Sequence, residues 1–235
     1  MSNALTRASH GLTLSEKRLI MMAVAQLDSR SNPPDSDLVT EIRATEYAEQ
    51  FDVDPSTAYR QMTAAADALY ERSITFYEAA HHRKIKSKPL EPTRIKMRWV
   101  FMAKYHEGEG VIRLGWSPTL LPHLMGLRKQ FTSYQLKQAS ALRSIYSWKL
   151  LELLMRFKTT GWAEYTVEDF AESMGATEKQ RANFNNIRRK IIDPAIKELT
   201  EKDNWIIELT TTKRGRRIRR LRFDFKRNDQ LSLDI

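Results

Sequence analysis

Residues 175–226 read GATEKQRANFNNIRRKIIDPAIKELTEKDNWIIELTTTKRGRRIRRLRFDFK. The first half of this stretch predicts a helix that carries the cations Arg181, Arg188, Arg189 and Lys190. The second half predicts two strands joined at a basic turn, residues 213–217. A basic helix followed by a hairpin with a basic tip is typical of nucleic-acid-binding proteins, because the helix can enter a groove while the tip binds phosphates.

The composition is that of a soluble globular protein. The 235 residues are 41% hydrophobic and 29% charged, and they suffice for one large domain or two small ones. The chain has no cysteine, which excludes disulfides and thiolate chemistry. Its longest apolar run, Leu19 to Ala25, is too short to span a bilayer, and the N-terminus lacks an apolar signal region. We therefore expect a cytoplasmic protein.

The positive charge is concentrated in the second half of the chain. Residues 1–127 contain 16 Lys/Arg and 15 Asp/Glu, whereas residues 128–235 contain 23 and 14. A modest basic excess can be an ordinary solvated surface. Its concentration on one helix and one turn favours binding of a polyanion instead.

A helix-turn-helix is predicted in the first half. A short helix capped by Thr45 ends at Phe51, and a second helix, capped by Asp54 or Ser56, runs to about Arg72. The second helix is rich in alanine and poor in cations, so it is predicted to be the weaker DNA reader. The candidate DNA contacts of this half are Ser56, Thr57, Arg60 and, in a basic loop, Lys84 and Lys86.

A strand from Ser73 to Tyr77 follows this helix. Its predicted partners are a strand from Thr93 to Tyr105 and a strand from Val111 to Trp116, joined by a glycine-containing turn at 106–110. The basic loop at 81–89 is predicted either to contact phosphate or to be merely solvated.

The second half begins with an apolar helix, predicted from Ser133 to Lys158. Thr166 then caps a short helix that Gly175 ends, and the basic stretch follows. Within that stretch Asp193-Pro194 predicts a kink or a restart, because proline breaks the hydrogen-bond ladder of a helix. Asp193 is predicted to cap a final segment that runs to Leu199.

The basic helix presents residue types that read bases. Arginine can bond bidentately to guanine and asparagine to adenine, each pair contributing about 1–3 kcal/mol of discrimination. The predicted readers are Lys179, Arg181, Asn185, Asn186, Arg188, Arg189 and Lys190. The alternative is a solvated helix whose charges bind nothing.

The hairpin alternates apolar and polar residues, with Trp205, Ile207 and Leu209 predicted to face inward. Its cations lie at the turn and at outward positions. The predicted phosphate contacts are Lys213, Arg214, Arg216, Arg217 and Arg219. Such contacts contribute affinity and salt sensitivity rather than sequence choice.

The two halves contain a pseudo-repeat. Residues 47–49, Tyr-Ala-Glu, match residues 170–172, Phe-Ala-Glu, and the order of an apolar helix, a short helix, a longer helix and strands is shared. A period of about 120 residues is too long for a solenoid. The sequence therefore predicts an α+β, mostly helical fold of two tandem winged-helix domains, with boundaries at 1–129 and 130–229.

No catalytic constellation is predicted. The chain lacks the G-x-x-x-x-G-K-[ST] loop that cradles nucleotide phosphates. None of its five histidines has zinc-type spacing, and the adjacent pair His81-His82 would point to opposite faces of a strand. A metal-dependent nicking enzyme needs two histidines on one face beside a tyrosine nucleophile. We therefore expect no enzyme activity, no cofactor and no metal.

Three segments resemble the initiator (Rep) proteins of theta-replicating bacterial plasmids. Residues 144–154, SIYSWKLLELL, are similar to the family's S-x-Y-x-x-R-L-Y-E-L-L helix. Residues 192–199, IDPAIKEL, are similar to L-D-P-A-x-x-E-I, and residues 11–19, GLTLSEKRL, to G-L-T-x-x-E-x-[KR]-L. The sequence departs at Lys149 and Leu151, where the family has arginine and tyrosine.

This resemblance implies a function that the composition and spacing do not. The implied protein binds iterons, which are direct repeats at a plasmid origin, mainly through its second domain. The first domain would supply a lesser DNA contact and a dimer interface. A monomer would act in origin opening, a dimer would repress its own promoter at an inverted-repeat operator, and the host initiator ATPase and replicative helicase would be partners. The alternatives are a winged-helix regulator without an initiation role and a rolling-circle nicking enzyme.

The C-terminal residues 230–235, QLSLDI, resemble the peptide that binds the bacterial sliding clamp. Gln230, Leu231 and Leu233 are the candidate contacts, since spaced leucines could fill a small apolar groove. The alternative is a polar tail that happens to contain two leucines.

Overall fold

The computed structural model describes residues 11–26, 38–78, 93–120, 124 and 141–228. The chain divides into two compact units, Met1–Leu136 and Lys137–Ile235. The domain boundary predicted after residue 129 lies outside the described residues and stays a prediction.

The helices of the first unit begin at polar caps. Its elements up to the first wing strand are α1 (Leu14–Gln26), β1 (Val39–Arg43), α2 (Ala44–Phe51) and α3 (Pro55–Glu71). Asp54 caps α3 through the backbone N–H groups of Ser56 and Thr57, as predicted. The predicted cap at Thr45 is wrong: the residue that precedes α2 is Arg43, two residues earlier, and it makes no side-chain cap.

The strands of the first unit form two sheets instead of one. They are β2 (Ser73–Glu78), β3 (Thr93–Arg98), β4 (Val100–His106) and β5 (Val111–Trp116). The predicted long strand is two strands because the buried Trp99 interrupts it. Strand β2 pairs with β3 alone, while β5 pairs with β4 and with the unpredicted β1 in the order β1-β5-β4, all antiparallel.

The second unit starts at a shorter helix than predicted. Helix α4 spans Ile145–Met155 and is capped by Ser144, whose hydroxyl accepts the N–H of Tyr146. Residues 141–144 and 156–161 are not helical, and 125–140 lie outside the described residues. Strand β6 (Trp162–Thr166) then leads into α5 (Val167–Ser173), capped by Thr166 as predicted.

The basic helix is interrupted at residues 182–183 and therefore has two parts rather than one. Helix α6 (Glu178–Arg181) starts at a capping box formed by Thr177 and Gln180. Asn183 then caps α7 (Phe184–Ile187), a π-helical turn spans Arg188–Ile192, and α8 spans Asp193–Asp203.

The prediction for Asp193 is therefore wrong. The residue preceding α8, Ile192, has helical backbone angles and makes no side-chain cap, so the chain passes through Asp193-Pro194 without a restart. The helix also ends later than predicted, where Asn204 adopts a left-handed conformation with φ of 53° and donates its N–H to the carbonyl of Leu199.

A three-stranded antiparallel sheet completes the second unit. Strands β7 (Trp205–Arg214) and β8 (Arg217–Arg227) form the hairpin, and β6 adds to the other edge of β8 in the order β6-β8-β7. Phe223 on β8 stacks on Phe170 of α5, with ring centroids 5.4 Å apart, and both side chains are fully buried. The inner face of the sheet thus packs on the helices, as the alternation predicted.

The pseudo-repeat is confirmed at the level of the backbone. In each unit a residue with positive φ ends the first helix of the helix-turn-helix: Asp52 at 48° and Gly175 at 64°. The next N–H, from Val53 or Ala176, then donates to the carbonyl five residues back, at 3.1 and 2.9 Å. In each unit the strand before this helix also pairs with the last strand of the sheet. Both units are winged helices.

Candidate nucleic-acid interface

The second unit presents a helix and a hairpin that together carry the predicted DNA contacts. We call residues 184–203 the reading helix and residues 213–217 the wing tip. Asn183 caps the reading helix by accepting the N–H of Asn186 at 2.9 Å. The buried face of this helix is formed by its own residues Ile187, Ile191 and Leu199. The opposite face is exposed and can contact a ligand.

The predicted readers on this helix separate into bonded and unbonded side chains. Arg181 donates from Nε to the carbonyl of Ala176 at 2.8 Å, and Asn186 donates from Nδ2 to the carbonyl of Lys179 at 2.9 Å. Arg188 pairs with Asp193 at 3.3 Å. Arg181 and Asn186 are thus bonded to backbone carbonyls, and Arg188 is paired with a carboxylate.

The remaining predicted readers are exposed. Among the residues that the structure describes, no hydrogen bond or ion pair engages the side chains of Lys179, Asn185, Arg189 and Lys190. A group without an internal partner breaks no bond within the protein when it binds a phosphate or a base. These four side chains are therefore the strongest candidates for direct DNA contact.

The wing tip is a tight turn with a cluster of exposed cations. Arg214 pairs with Arg217 across the hairpin, leaving Gly215 and Arg216 as a two-residue loop. Gly215 has φ of 64°, a conformation that favours glycine in hairpin turns. Lys213, Arg214, Arg216 and Arg217 make no ion pair within the described part of the chain.

The predicted contact Arg219 has a different environment. The register of the hairpin shifts so that Thr212 faces Arg220 while Lys213 faces Ile218, which leaves Arg219 as the extra residue of a β-bulge. The bulge directs Arg219 to Glu168 on α5 at 3.0 Å. Arg219 therefore braces the wing against the helices.

The outer face of the sheet is likewise neutralised internally. Arg220 pairs with Glu164, and Arg222 pairs with Asp224 at 2.8 Å. The hydrogen bonds from Arg222 hold the pKa of Asp224 below its usual range, so both members stay charged at neutral pH. Arg222 also lies over the ring of Trp162, 4.5 Å from its centroid. The unpaired positive charge of the hairpin is thus concentrated at its tip.

Helix α4 is bonded to three parts of this reader. Lys149 is buried and donates to the carbonyl of Met174 at 2.9 Å, at the end of α5. The amide of Gln180 in α6 donates to the hydroxyl of Tyr146 at 3.1 Å. Glu198 of α8 accepts from two N–H groups just before α4, at 2.7 and 3.2 Å. Helix α4 therefore holds α5, α6 and α8 in their relative positions.

Replacing Lys149 by methionine should lower the free energy of unfolding by about 1–3 kcal/mol, because the carbonyl of Met174 is left buried without its charged donor. Urea denaturation measures the change. Lys158→Ala, at an exposed position after the same helix, should stay within about 0.5 kcal/mol of the unmodified protein. Equal losses for the two variants would contradict a bracing role for Lys149.

The corresponding helix of the first unit presents fewer unpaired cations. The hydroxyl of Ser56 donates to Asp54 at 2.5 Å, so it serves the cap of α3. This bond, followed by the N–H groups of Thr57 and Ser56, lowers the pKa of Asp54 and keeps a negative charge there. Arg60 is exposed, but Asp67 lies exposed on the same helix. The weaker DNA contact expected of this unit stays a prediction.

Sequence reasoning missed two cations in the first unit. Arg94 and Lys96 alternate along β3 on the exposed side of a two-stranded ribbon, opposite Tyr77 and Thr75. The alternating pattern of residues 93–98, TRIKMR, was the available signal. The predicted contacts Lys84 and Lys86, and the tail residues Gln230, Leu231 and Leu233, lie outside the described residues.

None of the described helices is long and apolar enough to cross a membrane. Within the same residues no group of three or more acidic or histidine side chains is placed to hold a metal ion.

The two winged helices, the second carrying an unpaired cationic helix and wing tip, define a tandem winged-helix DNA-binding protein. Residues 1–155 match the family described as Initiator Replication protein, WH1, and residues 166–225 match Initiator Rep protein, WH2. The chain belongs to the initiator replication protein family.

Several known proteins are similar to this chain. An uncharacterized 27.6 kDa protein of Escherichia coli is 25% identical over 209 residues, covering 86% of this chain and 84% of that protein. The Pi initiator protein, solved in complex with iteron DNA, has a TM-score of 0.75 at 23% identity and covers 95% of this chain and 94% of its own. Domains 2 and 3 of RctB give a TM-score of 0.53 at 12% identity over 92% of this chain and 83% of theirs. These structural matches support the tandem winged-helix fold.

Proposed function

We propose that this protein initiates plasmid replication by binding iterons at the origin and helping to open the adjacent duplex. One observation carries the proposal: the unpaired cations of the second unit lie on the reading helix and at the wing tip, the two elements that a winged helix directs at a duplex. The family supports a replication role, and the iteron DNA bound by the Pi initiator protein indicates the kind of target.

The two units would divide the work. The second unit, proposed as 130–229, would read the repeat through Asn185, Arg189 and Lys190 while the wing tip binds phosphates. The first unit, proposed as 1–129, would add a weaker DNA contact through Arg60 and the β2–β3 ribbon. It would also supply the interface for a dimer that represses the protein's own promoter and so limits copy number.

The proposed partners are macromolecules of the host cytoplasm. They are the initiator ATPase, the replicative helicase and, through residues 230–235, the sliding clamp. The protein would recruit these partners without catalysing a reaction itself.

Removing residues 230–235 should abolish capture of the clamp while leaving DNA binding intact, and unchanged capture would contradict a role for the tail.

The proposal is tested by footprinting the protein on DNA from upstream of its own gene. Regularly spaced protection of direct repeats beside an A·T-rich segment is expected. Protection of a single inverted repeat would instead indicate a repressor, and cleavage of supercoiled DNA with a divalent metal would indicate a nicking enzyme.

Within that experiment, Arg189→Ala should weaken binding of the repeat by about 1–3 kcal/mol and relax the choice of base at one position. Its matched control is Lys197→Ala on the same helix, because Lys197 is exposed and makes only a long ion pair with Glu201, at 3.8 Å. Competition binding with repeats mutated one base at a time measures both effects. Equal losses for Arg189→Ala and Lys197→Ala would remove the reading helix from the proposed interface.

A further inference from the structure

The reading helix contains one π-helical turn at Arg188–Ile192. The N–H of Asp193 donates to the carbonyl of Arg188, five residues back, instead of to the carbonyl four residues back. A π turn therefore accommodates one residue more than an α turn, and such turns are frequent at functional sites.

The extra residue changes which side chains face the core. An α-helix advances about 100° per residue, so in an uninterrupted helix Ile187 would lie about 120° from Leu199 and Asn185 only about 40° from it. With one residue absorbed by the π turn, Ile187 comes to about 20° from Leu199 and Asn185 to about 140°. The turn exchanges an apolar and a base-reading residue between the two faces.

The burial of these side chains agrees with that exchange. Ile187 is 2% exposed and Leu199 is fully buried, so the two share the core face. Asn185 is exposed to solvent. The same holds for Arg189 and Lys190, which lie within the π turn and are both exposed.

Pro194 gives a local reason for the widened turn. It lies in the first turn of α8 and has no N–H, so the α-type bond to the carbonyl of Lys190 cannot form. In a regular α-helix its ring would also clash with that carbonyl. A turn that is wider by one residue moves the carbonyl away from the ring.

We propose that Pro194 is a positioning residue for sequence recognition: together with the extra residue of the π turn it sets the rotational phase of the base-reading side chains. Pro194 makes no DNA contact in this proposal and acts only through the geometry of the helix. The inference rests on the proposed reading of duplex DNA by the second unit.

The proposal is tested by removing the extra residue with and without the proline. Deletion of Arg189 leaves Pro194 in a helix that now has the residue count of an α-helix. That helix must either accept the proline clash or widen again, which would place Ile187 about 80° from Leu199 and rotate Asn185 by about 100° from its native phase. Deletion of Arg189 combined with Pro194→Ala permits a regular α-helix in which Ile187 and Asn185 keep their faces.

DNA binding should follow this geometry. Arg189→Ala is the matched control, because it removes the same charge and keeps the turn. We expect the deletion alone to bind the repeat about tenfold or more below Arg189→Ala, and the combined variant to return to the level of Arg189→Ala. Binding is compared at a temperature at which thermal unfolding shows every variant to be folded, so that the rescue reports the geometry of the helix and not its stability.

Stability gives a second measurement. Thermal unfolding of the native protein, the deletion, Pro194→Ala and the combination completes a double-mutant cycle. The deletion should lower the unfolding midpoint by on the order of 10 °C, and most of the loss should be recovered in the combination.

Two outcomes would overturn the inference. One is a deletion variant that binds and unfolds like Arg189→Ala, and the other is a combined variant no better than the deletion. If the unmodified protein itself protects no repeat, the proposed function fails while the thermal cycle still tests the coupling between Pro194 and the π turn.

Discussion

Alanine at both Arg216 and Arg217 should weaken binding of the origin repeat by on the order of 10- to 100-fold at physiological salt. The salt dependence should fall as well, by about 0.9 of logarithmic slope for each phosphate contact that is lost. Both residues are exposed at the wing tip without an internal ion pair in the described structure, so their positive charge is available to the DNA backbone. Titrations at several salt concentrations measure the affinity and the slope together.

Arg219→Ala combined with Arg220→Ala is the matched control. It removes the same number of charges from the same hairpin, but these side chains pair with Glu168 and Glu164. The slope should therefore change far less than in the tip variant. If the two double variants give the same slope, net charge and not the placement of unpaired cations governs binding.

Arg72→Met should destabilise the first unit by about 3 kcal/mol. The carboxylate of Glu16 is fully buried and forms two bonds with the guanidinium of Arg72, at 2.9 and 3.3 Å. Removing the cation leaves a buried carboxylate that still accepts the backbone N–H of Thr13, at 2.6 Å. The Arg72 side chain is itself 32% exposed, which keeps the expected loss at the low end for a buried pair. Urea denaturation of the full chain measures it.

Two companion variants separate the ion pair from other effects. Arg60 lies on the exposed face of α3, the helix that ends just before Arg72. Arg60→Met should change the free energy of unfolding by no more than about 0.5 kcal/mol. Glu16→Gln combined with Arg72→Met should be more stable than Arg72→Met alone, because the uncompensated charge is gone. A double variant less stable than the single one would show that Arg72 acts through packing alone.

Much of the fold was predictable because local chemistry decides it. Asp54 and Thr166 cap helices by hydrogen bonds to residues two or three positions away, so a short window of sequence contains the whole interaction. Gly175 ends α5 through its own backbone conformation. The pseudo-repeat then fixed the architecture, since two copies of the same helix-turn-helix imply two domains.

The missed elements depend on distant partners. Strands β1 and β6 are five residues each, and each is stabilised by pairing with the last strand of its own sheet. No window around 39–43 or 162–166 contains that partner. The same limit applied to the site: Arg217 and Arg219 look alike in the sequence, and only the folded chain brings Glu168, about fifty residues earlier, to Arg219.

The π turn shows a different limit. The pattern at Asp193-Pro194 predicted an interruption correctly, but a restart and a widened turn both satisfy a proline. The choice between them depends on which of Ile187 and Asn185 the core accepts, and that is decided by tertiary packing.

The β-bulge at Arg219 also defines how the wing can move. Strand β6 accompanies β8 only as far as the pair Thr166–Arg220, and the bulge follows at the next residue toward the tip. Beyond that point the hairpin has only two strands. It extends from the three-stranded part of the sheet, and Arg219 forms an ion pair with Glu168 beside it. A bend at the bulge would therefore change the position of the cationic tip without disturbing the three-stranded base of the sheet.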